Sequence, residues 1–388
     1  YVRERQNPRI SKETRLSPRL PTVARVYETL SPEVLADMAP SRTRRSWRAR
    51  WPAASLALLR SVTAAACGDD DDEAATDGGD AAPSGEPIVL GYSAWPGWFP
   101  WAVAEEQGFF EEVGVEVDLK WFDDYLASLT ALSAGQLDAN SQTLNDTLVG
   151  VSAGDDQVVV LVNDNSAGND AIIVDESINT IQDLAGKTVA AEPGVVDHFL
   201  LLQGLDSVGM SEADIQFSGL PTADAAAAFS NGEFDAAGVF APFTLQALER
   251  PGSKVLFDSA DFPGTIPDFL VFNGDVVEER PEDIQKIIDA WYMTLEWIAA
   301  NPDEANAIMA ERAGVSVEEY ASFAGGTRIF TAEEALASIN GDAPTDLPAM
   351  SQEVAEFLPA SGLVEEEPTL EGLYDDSFLQ DHIEREGG

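Results

Sequence analysis

The stretch Ala102–Phe122 reads AVAEEQGFFEEVGVEVDLKWF, and its period changes halfway. Trp101–Phe110 has helical spacing and runs to a stop at Gly114, a residue free to adopt the left-handed conformation that ends helices. Val115–Trp121 then alternates apolar and polar residues, as a half-buried strand does. A helix that feeds a strand through a glycine is the unit of an α/β fold. The same alternation extends on both sides. Strands are expected at Ile88–Tyr92, Ala139–Ser141, Val158–Val162, Ala171–Val174, Ile215–Ser218, Ala236–Phe240, Val255–Phe257 and Phe269–Phe272, with helices between most of them. Beyond Pro281 the chain reads as mostly helical. Pro281–Ala300 and Pro302–Ala313 each open on proline, and Ser316 with Glu319, and Thr331 with Glu334, have the spacing of capping boxes.

The charge is uneven. Of 388 residues, the first 66 hold 13 Lys+Arg and 5 Asp+Glu, whereas residues 67–388 hold 9 basic and 64 acidic residues, a net of −55. Such a body repels nucleic acid, whose binding requires Lys and Arg to displace counterions. Heavy acid with little Lys suits either a high-salt habitat, where charge is screened, or an acidic extracytoplasmic protein. One Cys and two His argue against a metal or disulfide framework, and no cofactor is expected.

The leader has its own pattern. The first Met is Met38, near the expected start. Five arginines between Arg42 and Arg50 precede a mostly apolar run, Trp51–Val62, and then the small residues Ala64–Ala66 before Cys67. This is the layout of a secretory signal in which Cys67 becomes a lipidated N-terminus, although Arg60 interrupts the run and Ala64 stands where Leu is usual. Residues 1–66 are thus expected to be a leader. The acidic, Gly- and Pro-rich segment 67–87 is expected to be a tether.

Three phrases follow in a specific order: AVAEEQGFFEEVGVEVDLKWF, LSAGQLDANSQ (Leu132–Gln142) and DLAGKTVAAEPG (Asp183–Gly194). Together they resemble the substrate-binding proteins of bacterial ABC importers, in the nitrate/sulfonate/taurine and thiamine-precursor branch. SAWPGWFPW (Ser93–Trp101), NDNSAGNDAIIV (Asn163–Val174) and EPGVVDHFLLLQGL (Glu192–Leu205) resemble the urea carboxylase-associated, guanidine- or urea-type members. The resemblance implies a two-lobed periplasmic-binding-protein fold of type II, with α/β lobes joined by crossing hinge strands. It implies a non-enzyme, anchored outside the cell membrane, that closes on a small solute and hands it as a monomer to a permease with a cytoplasmic ATPase. From the element order, lobe one is expected at 88–172 plus 269–388 and lobe two at 173–268.

Ligands of open α/β sheets sit beyond the carboxyl ends of strands, so candidate residues are sought there. Trp95 reads as an aromatic wall, with Trp98 and Trp101 packing the loop down. Asp124 and Tyr125 follow the second strand, although Asp there also suits a helix cap. Asn145 and Asp146 cap a helix or touch ligand. Asn169 and Asp170 precede a strand, where ligand or hinge contact fits. Glu192 precedes a turn; capping explains Asp197, and His198 has a structural reading beside the functional one. Phe240, Pro242 and Asp268 complete the set. These are aromatic, amide and acidic groups, while Lys120, Lys187, Arg250 and Lys254 lie away from strand ends. An oxyanion needs donors or positive charge. A carboxylate facing an aromatic wall suits a guanidinium, and carboxylates drawn from Asp124, Asp146 and Asp170 are expected to meet its N–H groups.

Three alternatives remain open: a sulfonate, nitrate, taurine or aminopyrimidine binder of the same family; a thiamine-pyrimidine synthase-like enzyme; and a cytoplasmic regulator. The enzyme would need a Cys-rich segment with His and Lys around a pyridoxal cofactor, and the regulator a helix-turn-helix before Ile88. Neither pattern is found in the sequence.

Overall fold

The structure, a computed structural model, describes residues 85–387. The signal segment, the start near Met38, Cys67 and the tether up to Ser84 lie outside the described residues.

The chain builds four strands of a first sheet: β1 (Ile88–Ser93), β2 (Val117–Phe122), β3 (Ala139–Thr143) and β4 (Gln157–Ser166). It then crosses to a second sheet for β5 (Asp170–Val174), β6 (Thr188–Ala191), β7 (Gln216–Gly219), β8 (Ala236–Phe240) and β9 (Lys254–Asp258). It returns for β10 (Pro267–Asn273) and β11 (Thr327–Ile329). The strand orders are β11-β4-β10-β3-β1-β2 and β7-β6-β8-β5-β9. β1 runs parallel to β2 and β3, and β6 parallel to β7 and β8. The strand that begins after each crossing is antiparallel to both neighbours: β5 between β8 and β9, and β10 between β3 and β4. This is the two-lobed α/β fold of periplasmic binding proteins, as expected.

Strand pairing shifts the expected lobe boundaries. Asp170–Ile172 belong to the second sheet, not the first, and Pro267 and Asp268 to the first sheet, not the second. The crossings are therefore 167–169 and 259–266.

Local chemistry accounts for the elements. The helix expected to run unbroken to Gly114 is two helices, Pro100–Gln107 and Phe109–Val113, because Gly108 adopts a left-handed φ of 75° and ends the first. Pro281–Ala300 buries Ile284, Ile287, Ile288 and Trp291 at helical spacing, each such side chain contributing roughly 1.5–3 kcal/mol. Trp291 packs on Trp101, with ring centroids 4.5 Å apart, which roots the aromatic loop in the first lobe. Both capping boxes form as read.

Candidate functional site

A small cavity lies where the two sheets face each other. From the first lobe it is lined by Trp95 and Trp98 in the loop after β1, Tyr125 at a helix start, Thr143 at the end of β3 and Asp268 in β10. From the second lobe come Asp170 at the start of β5, Val196 at a helix start and Phe240 at the end of β8. The ring of Phe240 crosses the cleft and meets Trp95 and Tyr125 edge-on, both with centroids 6.3 Å away. The free space is about 10 Å³, roughly that of a single water, so a larger occupant requires the two lobes to part around it.

The aromatic wall is held from behind. Trp95 donates its indole N–H to Asp164 Oδ1 at 2.9 Å. A Cβ added to Gly97 would lie 1.8 Å from Asp164 Oδ2, so only glycine lets the loop approach this carboxyl group. Asp164 is placed by register: it lies opposite Asp268 in the β4–β10 ladder, and Asp268 lies opposite Thr143 in the β10–β3 ladder.

Six carboxyl groups cluster here, all buried: Asp146, Asp164, Asp170, Glu192, Asp197 and Asp268. Thr143 Oγ1 lies 2.7 Å from Asp146 Oδ2, and Asn145 Nδ2 donates to Asp146 Oδ1 at 2.8 Å. Burial pushes both Asp146 and Asp170 up to about 7. Burial also raises Glu192, with the charge of Asp124 adding to the effect. Asp164 and Asp268 are both raised, first by burial; for Asp268 the facing Asp164 comes next. Neither oxygen of Asp268 finds an N–H or O–H donor, nor do Asp164 Oδ2, Asp170 Oδ2 and Asp197 Oδ1. Among the described residues no Lys or Arg lines the cavity. Nor is any group of three or more His, Cys, Asp or Glu placed to hold a metal ion.

The other expected residues divide. Asp124 is a helix cap, accepting from Ala127 N at 3.1 Å, and it does not line the cavity. Asn145 orients Asp146 from behind. Asn169 ties the first crossing to Phe323 O and Thr327 Oγ1, both at 2.8 Å, so it is a hinge contact. His198 turns away, 2.6 Å from Glu212 and stacked on Phe217. Asp197 is not a cap: Val195 holds that position, and Asp197 Oδ2 accepts from Thr222 Oγ1 at 2.6 Å. Pro242 lies outside the cavity, lining an open surface groove. Glu192 bridges the lobes, accepting from Leu126 N at 3.1 Å and Thr222 Oγ1 at 2.8 Å. Trp101 packs as expected, donating to Ser141 Oγ at 3.0 Å. Trp98 does not merely pack: it lines the cavity, and its buried Nε1 has no partner.

Asp164, Thr143, Val196 and Thr222 were not foreseen. The strand expected to stop at Val162 continues through Asn163–Ser166, and these polar residues read as a loop. Their signal was the density of amides and acids in NDNSAGND, more than a turn requires.

Fold and cleft together define a two-lobed solute-binding protein. The chain belongs to the NMT1/THI5-like family, whose description matches residues 95–305, more than half of it. It is 26% identical over 265 residues to the taurine-binding periplasmic protein of Escherichia coli, covering 66% of this chain and 81% of that one. Among solved structures it resembles the periplasmic aliphatic sulphonate binding protein SsuA of E. coli, at 25% identity and a TM-score of 0.62, covering 75% of this chain and 92% of that one. It also shares the fold of the periplasmic nitrate-binding protein NrtA of Synechocystis PCC 6803, at 15% identity and a TM-score of 0.62, over 79% and 90% of the two chains.

Proposed function

We propose that this protein captures a small, planar, cationic nitrogen compound of the guanidinium type in its interlobe cleft and delivers it to an ABC permease outside the cell membrane. The observation that carries this reading is that the cavity meets its occupant with carboxyl groups of both lobes, Asp268 and Asp170, beside the rings of Trp95, Trp98 and Phe240, and with no Lys or Arg among its lining residues. A cation over an aromatic face gains roughly 0.5–2 kcal/mol, and a charged hydrogen bond about 1.5–3 kcal/mol. An oxyanion would find no Lys or Arg there, and its charge would add to that of the buried acids.

The helix Tyr125–Ser133 begins at the cleft, and a helix start is a natural seat for an anion. Here the chain's own carboxyl groups hold it: Asp124 accepts from Ala127 N, and Glu192 from Leu126 N. This speaks against the sulfonate or taurine ligand suggested by the relatives' names. Neutral urea is a second reading, favoured by the unpaired Nε1 of Trp98, which suits a ligand carrying one acceptor among its N–H groups.

Anchoring through Cys67, a permease with its ATPase as partner, and action as a monomer belong to the same proposal; the leader pattern supports the anchor, and the periplasmic solute-binding relatives support the permease. A thermal-shift screen over guanidinium, urea, acetamidine, taurine and nitrate tests the ligand. A ligand at 100 times its Kd stabilises by about 2.7 kcal/mol. Stabilisation by taurine or nitrate alone would overturn the cationic reading.

A further inference from the structure

Asp268 is 1% exposed, lines the cavity, and has no N–H or O–H donor for either oxygen. The charged groups that act on it most are other acids. Asp164 faces it from β4, Asp170 from the start of β5, and Asp146 from the helix Leu144–Ala153. Asp197, in the helix Val196–Ser207, extends the same cluster through Asp170 and Asp146. The neutral groups beside it are Thr143, whose hydroxyl is 2.7 Å from Asp146 and 2.8 Å from Asn145 Oδ1, the phenol of Tyr125, which burial keeps protonated, and the indoles of Trp95 and Trp98. Of the two His, His198 is committed to Glu212 and His382 to Asp289. No Lys or Arg lines the cavity to offset so many carboxyl groups. Like charges clustered out of water cannot all ionise, and Asp268, opposite Asp164 in the ladder and with no donor to either oxygen, is the least supported as a carboxylate.

We propose that the ligand binds by cation–proton exchange at Asp268: the protonated carboxyl group loses its proton to solvent as the ligand's positive charge takes its place. The balance is one carboxylic acid plus one cation giving one carboxylate–cation pair plus one released proton. No bond of the ligand is made or broken. This rests on the cationic reading above and adds to it that the charge, not only the shape, of the ligand is what the site reads. A neutral isostere cannot drive the exchange. The exchange also gives the site a pH dependence: acid refills Asp268 and expels the cation, whereas neutral and mildly alkaline pH favour capture.

Calorimetric titration of guanidinium chloride into the full-length protein at pH 7, in phosphate and in Tris, tests this, since the two buffers differ in ionisation heat. Guanidinium itself keeps its proton throughout this range. The expected result is release of about one proton per guanidinium bound, with affinity rising up to about tenfold per pH unit over the titration range of the site, and no release with urea. Asp268→Asn, which keeps the shape, is expected to abolish the release and weaken guanidinium at least tenfold. The wild-type buffer comparison stands even if that variant fails to fold. Guanidinium binding with equal heats in both buffers, after correction for dilution, and a flat pH profile would overturn the exchange while leaving the cationic reading intact. Absence of guanidinium binding beside tight taurine binding would overturn both.

Discussion

The indole N–H of Trp95 and the carboxyl group of Asp164 meet at 2.9 Å, and the pair joins the loop after β1 to the inner face of β4. Asp164 thereby does two things: it fixes the plane of the aromatic wall, and it stands behind Asp268. Gly97 makes this possible by leaving room for the second oxygen.

Gly97→Ala is therefore expected to force the loop off Asp164. An overpacked position of this kind costs roughly 1–3 kcal/mol. Thermal denaturation should show that loss as a lower melting temperature, and binding should weaken because Trp95 no longer holds its plane. Trp95→Ala should weaken binding about tenfold, equivalent to about 1.4 kcal/mol.

Glu192 is expected to act as a latch between the lobes. Glu192→Ala removes its contacts with Leu126 N and Thr222 and frees the helix start at Tyr125. Small-angle scattering should show a larger radius of gyration for the unliganded variant, and ligand affinity should fall by about tenfold. An unchanged radius would mean that the aromatic contacts of Phe240 suffice for closure.

Stability of the empty protein should fall as pH rises through the acidic range. Asp146 and Asp170 titrate near 7 in the fold, against about 4 in an unfolded chain. Between these values the folded state holds more protons than the unfolded one, so the slope of stability with pH is negative there. Melting temperature measured from pH 5 to pH 8 should decline, and Asp146→Asn should flatten the decline. A rise in melting temperature over this range would contradict the buried-acid account.

Much of the fold was legible because its punctuation is local. Pro281 and Pro302 open helices, and Ser316 and Thr331 cap them, without reference to distant residues. The crossings were harder to place. Asp170–Ile172 read equally well as the end of one lobe or the start of the next, and only pairing with β8 and β9 decides. The site was half legible. Trp95, Tyr125, Asp170, Phe240 and Asp268 line the cavity because strand ends face the cleft, whereas Asp146 stands behind Thr143 and does not line it. Asp164 was missed because a polar run resembles a loop until a facing strand buries it. Asp124 and His198 chose their local partners, Ala127 and Glu212, over the cavity, and spacing alone does not reveal that choice.

Cys67→Ser should move the protein from the membrane fraction to the soluble one, since a lipid chain supplies the anchor in this account. Fractionation followed by blotting reads the outcome directly, and full retention of the variant would remove Cys67 from the account.

The most direct test of the central claim is titration calorimetry of the wild-type protein and Asp170→Asn with guanidinium and taurine. The account predicts saturable binding of guanidinium to the wild type, at least tenfold weaker in the variant, and no heat from taurine. Tight taurine binding with no heat from guanidinium would show that the buried acids serve the fold rather than the ligand, and would contradict the account.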